Sequence, residues 1–278
     1  MRTYFSPAKI NLFFRVLGRR DDGFHEVATL MQAIDLGDSI SFELTERDIL
    51  TCEDPALPTD SSNLILKASK LFRQKTGLNI YIKAHLDKKI PWQAGLGGGS
   101  GNAATTLWAM NDLCGFPVAE KDLLKWSGEI GSDVPFFLSS GTAYCTGRGE
   151  QVESISLDSG PKGPMYVVKP STGLATPGIF KRLDISTIDG RQAEEILSSF
   201  SSTSPQYVND LEKPAFLELP SLGELKKSLL SAGFQSVMMT GSGSAFFCCG
   251  GLRTKLPEEL KIYQINFLKR EKGSWYQN

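Results

Sequence analysis

From Pro91 to Ala104 the chain reads Pro-Trp-Gln-Ala-Gly-Leu-Gly-Gly-Gly-Ser-Gly-Asn-Ala-Ala, and five of the seven residues from Gly95 to Gly101 are glycine. Glycine reaches both halves of the φ map and lets a ligand come close to the backbone. A glycine run that feeds a helix N-terminus presents unpaired N–H groups and the positive end of the helix dipole, an arrangement suited to phosphate. We read the run as a cradle for the phosphates of a nucleoside triphosphate, with a plain connecting turn as the bland alternative. It has no Gly-Lys-Ser/Thr ending, and Ser100 stands where a dinucleotide fingerprint starting at Gly95 and Gly97 needs its third glycine. Neither of the two commonest nucleotide motifs therefore applies.

Three further stretches carry chemistry. Lys9 and Asn11 share one side of an alternating stretch, spaced to grip one polar ligand, although an exposed strand face explains the same pair. Asp133 lies within Gly-Ser-Asp-Val-Pro-Phe-Phe, and a carboxylate among apolar neighbours needs a partner, because burying an unpaired charge is costly. Lys9 is a candidate for that partner; helix capping is the competing account of Asp133. Met239-Thr240-Gly241-Ser242-Gly243-Ser244-Ala245 is a second small-residue turn, able to close over a phosphate or substrate, or simply to pack.

The elements that must position these residues begin with strands. From Lys9 to Leu17, Ile10, Leu12, Phe14 and Val16 fall on one face and Lys9, Asn11, Phe13 and Arg15 on the other, and Ser39 to Leu44 also alternates. Arg19 to His25 is a charged loop containing Gly23. Ser61-Ser62-Asn63 opens a helix from Leu64 through Phe72 that stops near Gly77. Leu78 to Ala84 is another strand, leading through Lys88-Lys89-Ile90 into the glycine run. Helices are expected from Asn102 to Leu113, stopped by Gly115 and Pro117, and from Leu123 to Ile130. Strands follow around Thr142–Cys145 and Tyr166–Val168. Between them, the glycine-, proline- and serine-containing stretch from Leu157 to Pro164 is the expected junction of domains 1–156 and 157–278. Two polar helices come next, and Ser236 to Phe247 forms a strand and turn that continue as a strand or a helix. Strand runs followed by helices, without strict alternation, favour an α+β fold.

Composition sets outer limits. With 278 residues, 41% apolar and 22% charged, the chain can build two modest globular domains or one large one. A net charge of -1 makes no electrostatic case for nucleic acid or an anionic membrane as partner. The five cysteines (Cys52, Cys114, Cys145, Cys248, Cys249) form no Cys-x-x-Cys pair, and their odd number argues against a disulfide framework. Two histidines cannot build a histidine-rich metal site. No apolar run reaches membrane-spanning length and residues 1–7 lack a signal-type core, so the expectation is a soluble cytoplasmic protein.

Taken in order, Pro7-Ala8-Lys9-Ile10-Asn11, the glycine run with Ser100 and Asn102-Ala103-Ala104, Gly131-Ser132-Asp133-Val134-Pro135-Phe136-Phe137 and Met239-Thr240-Gly241-Ser242-Gly243-Ser244 resemble the motifs of the GHMP kinase superfamily, almost end to end. Arg20-Asp21-Asp22-Gly23-Phe24-His25, Ser62-Asn63-Leu64, Ala175-Thr176-Pro177-Gly178-Ile179-Phe180 and Asn209-Asp210-Leu211-Glu212 resemble the branch whose acceptor carries a cytidine diphosphate. The resemblance implies a two-domain α+β fold, with an N-terminal ATP-binding domain like ribosomal protein S5 domain 2 and a C-terminal ferredoxin-like α+β domain. It implies ATP as co-substrate with Mg2+, and phosphorylation of the 2-hydroxyl of a cytidylyl-methylerythritol on the non-mevalonate route to isoprenoid precursors. It implies no nucleic-acid or membrane partner.

Carried over residue by residue, the resemblance assigns ATP to Asn63, Pro91, Gly95, Leu96, Gly97, Gly98, Gly99, Ser100 and Gly101. It assigns the acceptor to Asn11, Phe24, His25, Thr176, Phe180, Gly241 and Ser242, with Asp133 as general base and Lys9 as its partner and counter-charge. Cytosine would lie between Phe24 and Phe180, with His25 bonding its edge; a loop anchor and a core residue are the plain accounts of the two phenylalanines. Ser100 is the candidate metal ligand. His85, at a strand end, reads as structural. Ala94 stands where the family has glycine or alanine. Gly101 stands where it usually has a second serine, leaving Ser100 to supply any hydroxyl contact; Phe24 replaces a frequent tyrosine and keeps only the stacking. Two other readings compete. A kinase of a small alcohol without a nucleotide handle is disfavoured by Phe24, His25 and Phe180. A non-catalytic nucleotide-binding protein is disfavoured by the presence of both Lys9 and Asp133.

Overall fold

The computed structural model describes residues 1–157, 161, 163–202 and 204–277. Strands β1 (Arg2–Arg19) and β2 (His25–Thr45) form a long antiparallel hairpin. Then follow β3 (Ile49–Cys52), α1 (Leu64–Thr76), β4 (Tyr81–Asp87), α2 (Gly98–Leu113), α3 (Glu120–Ser127), a 3-10 turn at Pro135–Leu138, β5 (Thr142–Thr146) and β6 (Gln151–Ser154). β2 is the hub of this first sheet. β1 lies along one edge; on the other edge β4 pairs with Ser39–Thr45 and β5 with Thr29–Gln32, while β3 runs parallel to β4 and β6 antiparallel to β5.

The second sheet comprises β7 (Met165–Lys169), β8 (Ser236–Met239), β9 (Phe246–Cys249) and β10 (Lys261–Ile265), antiparallel in the order β10-β7-β9-β8. Helices α4 (Thr176–Arg182), α5 (Ala193–Ser199), α6 (Glu212–Glu218) and α7 (Pro220–Ser231) fall between β7 and β8. The fold is α+β, as the order of elements suggests. Of the expected junction from Leu157 to Pro164, Asp158, Ser159, Gly160 and Lys162 lie outside the described residues. Beyond β10 the chain returns to the first sheet, where Leu268 N–H donates to Ala33 O and Arg270 N–H to Ser140 O, each at 2.9 Å.

Two departures from the sequence pattern matter to the site. The β1–β2 register jumps from Asn11↔Met31 to Phe13↔Leu30, so Leu12 is an inserted residue and the alternation breaks there. The expected single face is split: Ile10, Leu12 and Phe13 enter one apolar cluster with Leu30 and Ile34, whereas Phe14 and Val16 enter another with Val168 and Leu211. The bulge lets one strand serve two cores. The second departure is in α2, which starts at Gly98 instead of Asn102, so three glycines of the run are helical. Gly97, at φ +67°, is its N-cap, and every residue from Gly101 to Asn111 is buried. A helix buried on all sides lies inside a core; Thr105 and Thr106 bond back to Gly101 O and Asn102 O, and α1 and β1 both pack on it. A Cβ at Gly101 would stand 2.6 Å from Pro7 O, so close packing of α2 on β1 accounts for glycine at that position. Smaller differences are that β4 begins at Tyr81 and α3 at Glu120, while the late unit takes the strand–turn–strand form of its two expected alternatives.

Candidate active site

The two glycine-rich turns are pressed together. Ala245 N–H donates to Ala94 O at 3.2 Å, and Ser244 N–H to Gln93 O at 3.3 Å. The late turn therefore packs and lines the cleft at once, since Gly241 and Ser242 both face it. Lys9 N–H donates to Leu96 O at 2.9 Å, tying β1 to the first turn. The first intrahelical bond of α2 runs from Gly101 N–H to Gly97 O. The N–H groups of Gly98, Gly99 and Ser100 precede it and so lack a partner within the helix. They sit at the positive end of a 16-residue helix, where an anion is favoured.

A second set of contacts fixes the entry to that helix. Asp38, fully buried, accepts from Lys88 Nζ, Lys89 N–H, Ile90 N–H and Asn102 Nδ2, at 2.8, 2.8, 2.8 and 2.9 Å. One carboxylate thereby clamps the chain before the glycine run to the helix after it. Every oxygen is bonded, which is what makes its burial tolerable.

Lys9 and Asp133 meet as the apolar setting of Asp133 suggested, with Nζ 3.3 Å from Oδ2. Burial is unequal, since the Lys9 side chain is 4% exposed and that of Asp133 34%, so the carboxylate is open to the cleft. Asn11 lies elsewhere than expected. It is fully buried and does not line the cleft. Its Oδ1 accepts from Lys9 Nζ at 2.8 Å and its Nδ2 donates to Thr29 Oγ1 at 2.8 Å. The Asn11 amide is thus engaged on both sides, with Lys9 and with Thr29. Gly101 is the other assigned residue outside the cleft wall.

The remaining assigned residues share one cleft of about 1320 Å³. Asn63 caps α1, accepting from Ile65 N–H at 2.9 Å, and lines the cleft near Leu57, Pro58 and Pro91. Trp92, half-exposed beside them, donates its indole N–H to Asp54. Thr176 and Ser242 share a hydrogen bond between hydroxyls at 2.7 Å. His25 is stacked on Phe180, with ring centroids 5.1 Å apart at 29°, so His25 covers part of the Phe180 ring. The Arg148 guanidinium lies 5.1 Å from the centroid of the half-exposed Phe24 ring.

Burial, aided by the charge of Arg19, lowers the pKa of His25 below the ordinary imidazole value, so the ring is neutral at pH 7. A depressed pKa leaves the neutral ring stable at and above neutrality and lost as pH falls through the lowered value. Acceptor KM should therefore be flat at and above neutrality and rise only as pH falls below the ordinary imidazole range. A KM profile for the acceptor checks this, with His25→Gln expected to flatten the acid limb.

Sequence reasoning missed Asp38, Lys88, Arg148 and Arg270, because single charged residues carry no periodicity. The segment Asn209–Glu212 is a staple. Asn209 Nδ2 donates to Met239 O and Gly241 O, Asp210 holds the buried Arg15 at 2.8 Å, and Glu212 accepts from Met239 N–H. His85 bonds Thr51 Oγ1 at 2.9 Å, consistent with a structural residue. Among the described residues no helix is long and apolar enough to cross a membrane, and all five cysteines are free.

This arrangement of two sheets, an unpaired helix N-terminus and a Lys–Asp pair in one cleft belongs to a chain whose residues 63–141 match the family model for the GHMP kinases N terminal domain. A 4-diphosphocytidyl-2-C-methyl-D-erythritol kinase from Protochlamydia amoebophila (strain UWE25) is 50% identical over 98% of this chain and 92% of its own length. The chloroplastic/chromoplastic enzyme of that name from Solanum lycopersicum is 45% identical over 99% of this chain and 72% of its own. A crystal structure of 4-(cytidine 5'-diphospho)-2C-methyl-D-erythritol kinase superposes with a TM-score of 0.75 at 34% identity, covering 89% of this chain and 90% of that one. The chain belongs to the 4-diphosphocytidyl-2-C-methyl-D-erythritol kinase family.

Proposed function

We infer that this chain transfers the γ-phosphoryl group of ATP to the 2-hydroxyl of 4-diphosphocytidyl-2-C-methyl-D-erythritol, on the non-mevalonate route to isoprenoid precursors. The observation that carries this reading is the Lys9–Asp133 pair standing in the same cleft as the free N–H groups of α2. Phosphoryl transfer depends chiefly on positioning and charge stabilisation. The N–H groups of Gly98, Gly99 and Ser100 hold the donor phosphates. Asp133 takes the proton of the acceptor hydroxyl as its oxygen bonds to the γ-phosphorus and the bond to the β-phosphate oxygen breaks, releasing ADP. Lys9 offsets the charge on the group in transit, and Asn11 holds its ammonium in place.

The residues present fit Mg2+ held mainly by the donor's phosphates. No cluster of three or more His, Cys, Asp and Glu suited to a metal occurs among the described residues, while Ser100 lines the cleft. Bound there, the ion would neutralise phosphate charge. Phe24, His25 and Phe180 form the cytosine end of the cleft, with the base displacing His25 from Phe180 or taking its free face. Division of the chain into domains 1–156 and 157–278 belongs to the same reading.

ADP release, measured with and without Mg2+ against a panel of acceptors, tests the assignment. The cytidylyl-methylerythritol should be phosphorylated, and homoserine or mevalonate should not. Stacking of one base on an aromatic ring is worth about 1–3 kcal/mol, so Phe180→Ala should raise acceptor KM about 5- to 150-fold while ATP KM stays unchanged. Equal effects on both substrates would remove Phe180 from the acceptor site.

A further inference from the structure

Arg270 is buried, and the mechanism above gives it no task. Its guanidinium is engaged through all three nitrogens. Nε donates to Ser139 O at 2.8 Å, Nη2 to Leu138 O at 2.5 Å and to Glu120 Oε2 at 3.0 Å, and Nη1 to Ser274 O at 2.8 Å. Its Cζ lies 5.4 Å from the centroid of Trp108, in the middle of α2, and Trp275 from the same C-terminal segment stacks on that indole at 5.4 Å. Leu138 and Ser139 end the 3-10 turn that begins two residues after Asp133. Arg270 thus joins the segment carrying the carboxylate to the helix whose first turn faces the donor phosphates.

We propose that Arg270 is a positioning residue for phosphoryl transfer, fixing Asp133 relative to the N-terminus of α2. A short 3-10 turn is weakly held by its own bonds. Its bounding bonds are Phe137 N–H to Val134 O at 3.2 Å and Ser139 N–H to Phe136 O at 2.9 Å. Its last carbonyls have no partner within the turn. Phe136 and Phe137 anchor it in the core, but apolar burial has no direction. A guanidinium fork does, since its donors are planar and fixed in angle. Among the described residues only Arg270 bonds both terminal carbonyls while lying against α2. The proposal rests on Asp133 being the general base.

The test uses the full chain and four variants, Arg270→Met, Arg270→Lys, Glu120→Gln and Asp133→Asn, at a temperature where melting curves show each folded. A misplaced catalytic group costs as much as 10²-fold per ångström, so Arg270→Met should lower kcat about tenfold or more, with both KM values within about twofold of the parent. Lysine, a point donor, should restore part of that loss. In the Asp133→Asn background Arg270→Met should change kcat by no more than about twofold, because two residues acting through one group do not add. If the residual rate there is below detection, Asp133→Glu serves as the background.

A loss of the same factor in both backgrounds overturns the proposal, as general loosening of the fold would produce it. An unchanged kcat in folded Arg270→Met overturns it as well. Full activity of Asp133→Asn alone would instead remove the base, and the positioning role with it. Should Arg270→Met not fold, Glu120→Gln, which removes the charge facing Nη2 and leaves one oxygen for both Arg270 and the Gly273 N–H, carries the same cycle. It should show a smaller kcat loss that disappears when Asp133 is replaced.

Discussion

Asp133→Asn should lower kcat by about 10²- to 10⁴-fold, the range that a positioned general base contributes. The substitution keeps the size of the side chain and leaves an oxygen for Lys9 Nζ, now 3.3 Å from Oδ2. Fold and cleft should therefore survive while the proton acceptor is lost. Lys9 remains held by Asn11, whose Oδ1 it contacts at 2.8 Å, so ATP affinity should change little. Steady-state kinetics with nucleotide binding measured in parallel separate the two effects. A kcat within about threefold of the parent would show that Asp133 does not serve as base and that positioning alone accounts for the rate.

Gly95→Ala should be the most damaging substitution in the glycine run, although no side chain there takes part in chemistry. A Cβ on Gly95 would stand 2.0 Å from Thr240 O and 3.2 Å from Gly243 N, and Gly95 adopts φ +74°. Both obstacles are backbone, so no rotamer change relieves them. Overpacking of this kind costs about 1–3 kcal/mol and left-handed strain about 1–3 more, giving a loss of about 2–6 kcal/mol. If the protein remains folded, the two turns must separate and kcat should fall with stability. Gly178→Ala is the matched control, because nothing lies within 4 Å of its added Cβ and its backbone is helical. Thermal melts of the two variants should differ by several degrees or more.

The parts of this site legible in the sequence were those whose meaning is local. A glycine run before a helix, a polar pair in a strand and an acid among apolar residues each announce themselves within a few positions, and Lys9, Ser100 and Asp133 line the cleft together. What escaped notice depends on partners far along the chain. Asn11 shared a strand face with Lys9 as expected, but its bond to Thr29 and the bulge at Leu12 turn it into a support for Lys9. The helical state of Gly98–Gly101 was hidden because glycine has a poor propensity for helix; packing against Pro7 and the αL cap at Gly97 override that preference. Asp38 is meaningful only once Lys88 and Asn102, 50 and 64 residues away, are beside it. Stacking of His25 on Phe180 likewise joins two segments that no pattern connects.

The bonds from Ser244 to Gln93 and from Ala245 to Ala94 make the glycine run and the Gly241–Ser244 turn, the proposed donor and acceptor sides, parts of one body. A kinase whose two substrate sites sit on separately moving lobes must bring them into line at every turnover. Here the span between the α2 terminus and the Gly241–Ser242 turn is set when the protein folds. The protein's own rearrangement is thus met before either substrate arrives, and the binding of the substrates has only their own freedom to offset, a term that in well-oriented systems reaches about 7–11 kcal/mol of barrier.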